Sequence, residues 1–497
     1  MKTGFRVDWK TLLKLLVVTI ILWAVWFPIV TSGNIRMDSD QMIHTPEISV
    51  NQYIREGRSA LVWLLQLFGL TVWNPLRSGI LFLCFFSLSC WVLYFTIRRL
   101  TGWQGLYPEL FILLYGLSPI WAYHGYFVLQ IAAVGFGILL TVTTACVDTA
   151  FFPRKDFGVT RLIWEIAALA LLSFALLIYQ SLIVCWLAVL LTGIFCWFSK
   201  GGRISLRMLV PLFARLFLSL AVYYLVSRRL GGSMDSGNMA VQVRWGADPI
   251  GHCLLRMAEE VGAVILMYTS RYFSLYTLGA VLIILLWFRK RKTEWAHRPG
   301  IVIAGVCMLL LPFGLTVLLG NVTVPRSQFA LQLVAAFFPV FYLAETKGKH
   351  RILCTVCVLA LALQAGLSIR LYHTDQVRNE QDTAVAEAIL AELEDKDTSK
   401  PLAFVGVRRM DTGSLLTEKS DVYGRTFFEW IYDESDPSSA SIPALRLLTA
   451  CGGKQYTAVT SADQKQAAIE AAKKMPSCPD AGFVREEEDM IVIKLSD

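Results

Sequence analysis

Residues 59–73 read SALVWLLQLFGLTVW. The stretch is apolar throughout. As a helix it would rise only about 22 Å, short of the roughly 30 Å hydrocarbon core of a bilayer. Whether it crosses decides the orientation of every segment after it. If it crossed, each later basic turn would face out, against the tendency of Lys and Arg to stay on the cytoplasmic side. It therefore reads as an interfacial or re-entrant helix, and Asn74-Pro75 opens the next span.

Working outward, apolar runs of roughly 17 to 25 residues repeat along the chain and predict about eleven transmembrane helices. They fall near 11–30, 76–97, 108–123, 126–149, 162–179, 181–198, 208–227, 272–288, 300–320, 329–345 and 352–371. With the N-terminus inside, alternation places Arg98-Arg99, Arg154-Lys155-Arg161, Lys200-Arg203-Arg207, Arg289-Lys290-Arg291-Lys292 and Lys347-Lys349-Arg351 on the cytoplasmic side. Every one of those turns is basic, and an odd number of spans leaves the C-terminus outside. The expected class is an α-helical polytopic membrane protein. Of the 497 residues 55% are hydrophobic and only 17% charged, with mean hydropathy +0.54. A soluble domain carries about 25% charged residues. The runs are continuous rather than alternating, which excludes a barrel. The net charge of +8 is accounted for by the turns and is no nucleic-acid signal. The first run follows Lys2, Arg6, Lys10 and Lys14 and ends in bulky Trp23, Trp26 and Phe27 without a small-residue cleavage site, so it reads as an uncleaved span.

This topology predicts two domains: a membrane domain over 1–372 with exterior loops 31–75 and 228–271, and an exterior α/β domain over 373–497. In the tail, 376–397 reads as an amphipathic helix, PLAFVGV at 401–407 as a strand, 462–474 as a second helix, and DMIVIKL at 489–495 as a final strand. An exterior tail permits a disulfide between Cys451 and Cys478. Cys354 and Cys357 form a CxxC inside a span without further ligand spacing, and no metal site is read there.

Chemistry concentrates in the first exterior loop, NIRMDSDQMIHTPEISVNQYIREGRS at 34–59. Asp38 and Asp40 lie within about ten residues of the first span, close to the membrane plane. Glu47, Arg55, Glu56 and Arg58 follow. A carboxylate there can take the proton of an attacking hydroxyl as its bond forms. A phosphate leaving group needs a cation, and the guanidinium fork suits it. Arg58 and Arg326 are the candidates, with Arg244 in VQVRWGAD the weaker one. Asp148 and Glu165 sit near the cytoplasmic ends of their spans and read as interfacial, and His124 as an interface residue. There is no HExxH and no P-loop. Paired acids could hold a hard divalent cation, which remains the one possible cofactor.

MDSD at 37–40, EGRSALVWLLQLFG at 56–69, LLIYQSLIVCWLAVLL at 176–191 and VPRSQFALQLVAAFF at 324–338 occur in that order. The combination resembles the Gtr-type glucosyltransferases that modify bacterial O-antigen, within the GT-C class of polytopic glycosyltransferases. Ser39 separates acids expected to be adjacent, and Ser59 stands where an aromatic is expected after Gly-Arg. The resemblance implies a sugar donor, glucose, on polyprenyl phosphate, passed to a cell-surface polysaccharide outside a bacterial cytoplasmic (inner) membrane. It implies Asp38 or Asp40 as the base and Arg58 and Arg326 on the donor phosphate. It does not cover the tail beyond 373, whose place would be to help bind the acceptor glycan. The alternative is a flippase for lipid-linked glycans. A transporter would gather ionisable groups near the bilayer midplane, whereas here they collect in the exterior loops.

Overall fold

The computed structural model describes residues 8–44, 46–152, 158–203, 206–232, 242–267, 269, 273–289, 299–417, 422–433, 436, 439 and 441–497. Lys2, Arg6, Arg154, Lys155, Arg271, Lys290, Arg291 and Lys292 lie outside them. The chain is mostly helical and divides into two compact units. The first holds residues up to Thr31, then Val50–Leu70 and Asn74–Ser368. The second holds Ser32–Ser49, Thr71–Trp73 and Ile369–Asp497. The tail thus shares its unit with the acidic residues after the first apolar helix, a grouping that a single boundary at 372 does not anticipate.

Among the described residues, eight helices are long and apolar enough to cross a membrane. The count of eleven expected from the sequence is not reached, for a local reason in each missing case. The run at 108–123 is broken into α6 (Tyr107–Gly116) and α7 (Ile120–Tyr126) around Ser118-Pro119, because the pyrrolidine ring disfavours helix in the residue before it. Tyr276–Arg289 and Leu331–Glu345 are apolar but only 14 and 15 residues long. Residues 59–73 form only a nine-residue helix, α4 (Ser59–Leu67), as expected of a segment too short to cross. Ala60, Leu61, Val62, Leu64 and Leu65 are buried on one side of it while Trp63 and Leu67 are exposed.

In the first unit α5 (Pro75–Thr101) runs along α8 (Val128–Phe151), and α1 (Trp9–Thr31) packs on α5, α6 and α7. Close approach depends on small residues, as in lipid-embedded bundles. A Cβ on Gly79 of α5 would lie 2.5 Å from the Val30 carbonyl oxygen of α1, and one on Gly137 of α8 would lie 2.4 Å from Leu182 Cδ1. Large apolar side chains are exposed in quantity, including Leu13, Leu16, Val17 and Ile20 on α1 and Phe213, Phe217 and Leu225 on α11 (Leu206–Arg229). Water would not tolerate such surfaces, and a bilayer favours them.

One charged cluster lies within these helices. Arg215 of α11 pairs with Asp148 of α8 and with Glu165 of α9 (Val159–Ile178). Trp186 and Trp164 donate to Asp148 at 3.1 and 3.3 Å. Asp148 is 4% exposed. It is a buried group made tolerable by a guanidinium from a third helix and two indole donors.

In the second unit, β1 (Leu402–Val405) pairs parallel with β3 (Ile491–Lys494), and β2 (Val484–Glu486) pairs antiparallel with β3, giving the order β1-β3-β2. Leu402 faces Ile491 and Val484 faces Ile493 in register. The helix Ala462–Ala472 lies in the parallel crossover and buries Ala468 and Ala472 against Ala403, Val405 and Val492. Cys451 and Cys478 are free thiols.

The longest helix, Arg351–Leu393, has 43 residues and is about 65 Å long. The sequence reads as a span and a separate amphipathic helix, but no proline interrupts it and the two are continuous. Its apolar part ends near residue 371. Beyond it, Asp375, Arg378 and Asp382 fall on one face at the spacing that lets helical side chains meet. Arg378 binds Asp375 at 2.8 Å and Asp382 at 2.9 Å. Burial alone would raise Asp375, but Arg36, Arg378 and Asn34 outweigh it and hold the carboxyl at about 2. Burial pushes Asp382 up to about 6 despite Arg378. The signs are opposite. The Asp375 contribution is complete above about pH 4 and is lost as pH falls through 2. The charged form of Asp382 is disfavoured in the fold, so stability falls as pH rises from about 4 to 6. The melting temperature of the full chain in detergent should accordingly decline over pH 4–6, and Asp382→Asn should flatten that limb relative to wild type. Parallel curves for the two proteins would refute the assignment.

Candidate active site

The candidate acids, Asp38 and Asp40, belong to the second unit. Met37-Asp38 forms a tight turn with Asp38 at φ +70°, a left-handed conformation that Asp tolerates better than most residues. Ser39 staples it: its hydroxyl accepts from the Arg36 amide at 2.8 Å and donates to the Arg36 carbonyl at 2.6 Å. The short helix α2 (Ser39–His44) begins there. The two acids consequently differ in environment, with Asp38 exposed and Asp40 only 3% exposed. Ser39, the residue that interrupts the expected acid pair, is the one that builds the turn.

The turn is anchored to the long helix Arg351–Leu393. Arg36, fully buried, donates through Nε to Asp375 Oδ2 at 2.7 Å and through Nη2 to Ser32 Oγ at 2.8 Å. Asn34 donates to the same Asp375 oxygen at 2.8 Å. The Ile35 amide donates to Asn379, and Arg378 donates back to the Ile35 carbonyl at 2.7 Å. Helix Ser441–Gly452 packs against α2 from another side.

The candidate arginines Arg58 and Arg326 belong to the first unit. Helix α3 (Pro46–Arg55) ends in a turn through Gly57 at φ +76°, where the Arg58 amide donates to the Tyr53 carbonyl at 2.8 Å. Only glycine fits: a Cβ would stand 2.5 Å from Ser227 Oγ and 2.7 Å from the Tyr223 hydroxyl. Arg58 emerges from this turn. Its Nη1 donates to Gln130 Oε1 at 3.1 Å and lies 3.3 Å from Glu56, and its guanidinium is 4.9 Å from the Tyr179 ring centre. Buried Arg58 Nε has no partner among the described residues. Gln180, beside Tyr179 in the turn between α9 and α10 (Leu182–Ser199), donates to the Glu56 carbonyl at 2.7 Å and to Tyr223 at 2.9 Å.

Arg326 approaches from the 3-10 turn Pro325–Ser327, with its guanidinium 4.2 Å over the Phe127 ring. Phe127 precedes α8 and Gln130 lies in its first turn, so Arg58 and Arg326 converge on the N-terminus of one helix. The positive end of the α8 dipole lies there, which favours an anion. Buried Glu260 accepts from Thr323 at 3.1 Å and from Gln328 at 3.4 Å, bracketing the Arg326 turn.

Arg244 stands in another cluster. Its amide donates to the Leu319 carbonyl at 2.8 Å, and its side chain lies 3.9 Å from Asp248, which also binds Arg256 at 2.5 Å. Glu260, Gln130 and the Arg36–Asp375–Arg378 network were not singled out from the sequence. A lone Gln inside an apolar run and the 375/378/382 spacing were the available signals.

The family model described as glucosyl transferase GtrII matches residues 27–343, well over half of the chain. The chain belongs to the GtrII glucosyltransferase family. The matched region of this GtrII chain includes Asp38, Asp40, Arg58, Arg244 and Arg326 and stops before the Arg351–Leu393 helix. No curated protein and no solved structure shows a significant match. Membership makes this GtrII chain a glycosyltransferase, and its apolar helices make it a membrane protein.

Proposed function

We propose that the chain transfers glucose from polyprenyl phosphate to a cell-surface glycan on the outer side of the bacterial inner membrane. The observation that carries this reading is the convergence of Arg58 and Arg326 on the start of α8. Two guanidinium groups and a helix N-terminus form a site suited to a phosphate. In the transfer, the acceptor oxygen bonds to the sugar's anomeric carbon and the bond from that carbon to the phosphate oxygen breaks. The hydroxyl proton goes to a carboxylate, assigned here to Asp38 or Asp40, and the departing lipid phosphate keeps its negative charge against the arginines. The outward orientation rests on the basic turns. The C-terminal α/β region is assigned to the acceptor.

Reconstituted enzyme should form a glycosidic bond with polyprenyl-phosphate glucose and a native glycan. Arg58→Gln and Arg326→Gln should each lower kcat/KM by about ten- to a hundredfold, the loss of one charge-assisted contact. Donor translocation without a new glycosidic bond would favour the flippase instead. Full activity in both variants would remove the phosphate assignment.

A further inference from the structure

His124 lies where the supports of the two arginines meet. It belongs to α7, is 5% exposed, and its Nε2 is buried with no hydrogen-bond partner among the described residues. A buried polar atom left unsatisfied is costly, and one in a native protein calls for a physical reason such as a catalytic or binding role. The imidazole is held by Trp121, at 5.3 Å between ring centres, and Phe329, at 4.9 Å. Phe329 in turn packs 6.1 Å from Tyr179, whose ring carries Arg58. The His124 carbonyl accepts from the Phe127 amide at 3.1 Å, and the Phe127 ring carries Arg326. The Arg326 charge acts on the imidazole electrostatically.

We infer that His124 is a donor-binding residue whose Nε2 hydrogen-bonds the phosphate of the lipid-linked sugar held by Arg58 and Arg326. The inference rests on the reading in the previous subsection and extends it to a third group. Two cations supply charge, and the donor's phosphodiester has two non-bridging oxygens with lone pairs for further hydrogen bonds beyond the guanidinium contacts. An imidazole N–H fixed between two rings supplies one such bond in a fixed direction.

The test separates ring packing from hydrogen bonding. His124→Phe keeps an aromatic ring against Trp121 and Phe329 and removes Nε2, whereas His124→Gln restores a donor at similar reach. In the full-length enzyme in detergent, His124→Phe should raise KM for polyprenyl-phosphate glucose about tenfold or more. The inhibition constant of polyprenyl monophosphate should rise in parallel, with the melting temperature unchanged. His124→Gln should recover part of both. Wild-type KM and inhibition constant in His124→Phe would overturn the inference. So would equal losses in the Phe and Gln variants, or, if His124→Phe does not fold, a folded His124→Leu with wild-type KM and inhibition constant. If the wild-type enzyme itself fails to use the polyprenyl-phosphate donor, the underlying functional reading falls, and that outcome is distinct from wild-type turnover with an indifferent His124→Phe.

Discussion

With polyprenyl-phosphate glucose as donor, Asp38→Asn or Asp40→Asn should lower kcat by roughly 10²–10⁴-fold, the size of a general-base contribution. Both substitutions are mild structurally. Asn tolerates the left-handed backbone that Asp38 adopts, and at position 40 it preserves shape. A loss of turnover at normal expression and melting temperature therefore reports chemistry. The different environments of the two acids, one exposed and one buried, make unequal effects the expected result, and the variant with the larger loss identifies the base. Two fully active variants would end the assignment.

The second large effect concerns stability. Arg215→Ala should cost on the order of 3–5 kcal/mol, because it leaves Asp148 buried with indole donors and no cation. The purified variant should melt well below wild type in detergent and accumulate poorly. Adding Asp148→Asn to it should recover much of the loss, since the uncompensated charge is then gone. A single variant that melts with wild type would show that the ion pair contributes no net stability. The cluster also bears on the transporter alternative. It gathers charges within the helices, but Asp148 and Glu165 both face Arg215 and Arg161 lies 3.6 Å from Glu165, so two carboxylates are matched by two guanidinium groups.

The candidate arginines were legible because Arg58 and Arg326 stand out in short polar segments between apolar runs, where little else competes for the role. Their meeting point was not. Gln130 and Phe127 look like ordinary members of an apolar stretch until α8 is placed between the Arg58 turn and the Arg326 turn. Arg244 carried the same sequence signal and is held elsewhere by Asp248. On the acidic side the sequence marked Asp38 and Asp40 but not what holds them. Arg36 and Asp375 are 339 residues apart, and no local pattern links them.

From its sequence alone, this chain is a helical membrane protein with ionisable residues gathered around 36–58. Apolar run length and charged turns determine that much, because a bilayer acts on each segment separately. The tertiary structure decided which acid is buried, that the acidic turn is moored to the helix after the last apolar run, and that Asp148 is buried against Arg215. Those outcomes depend on contacts between distant segments, and the energy of a buried charge is set by the partner the fold brings to it rather than by its neighbours in sequence.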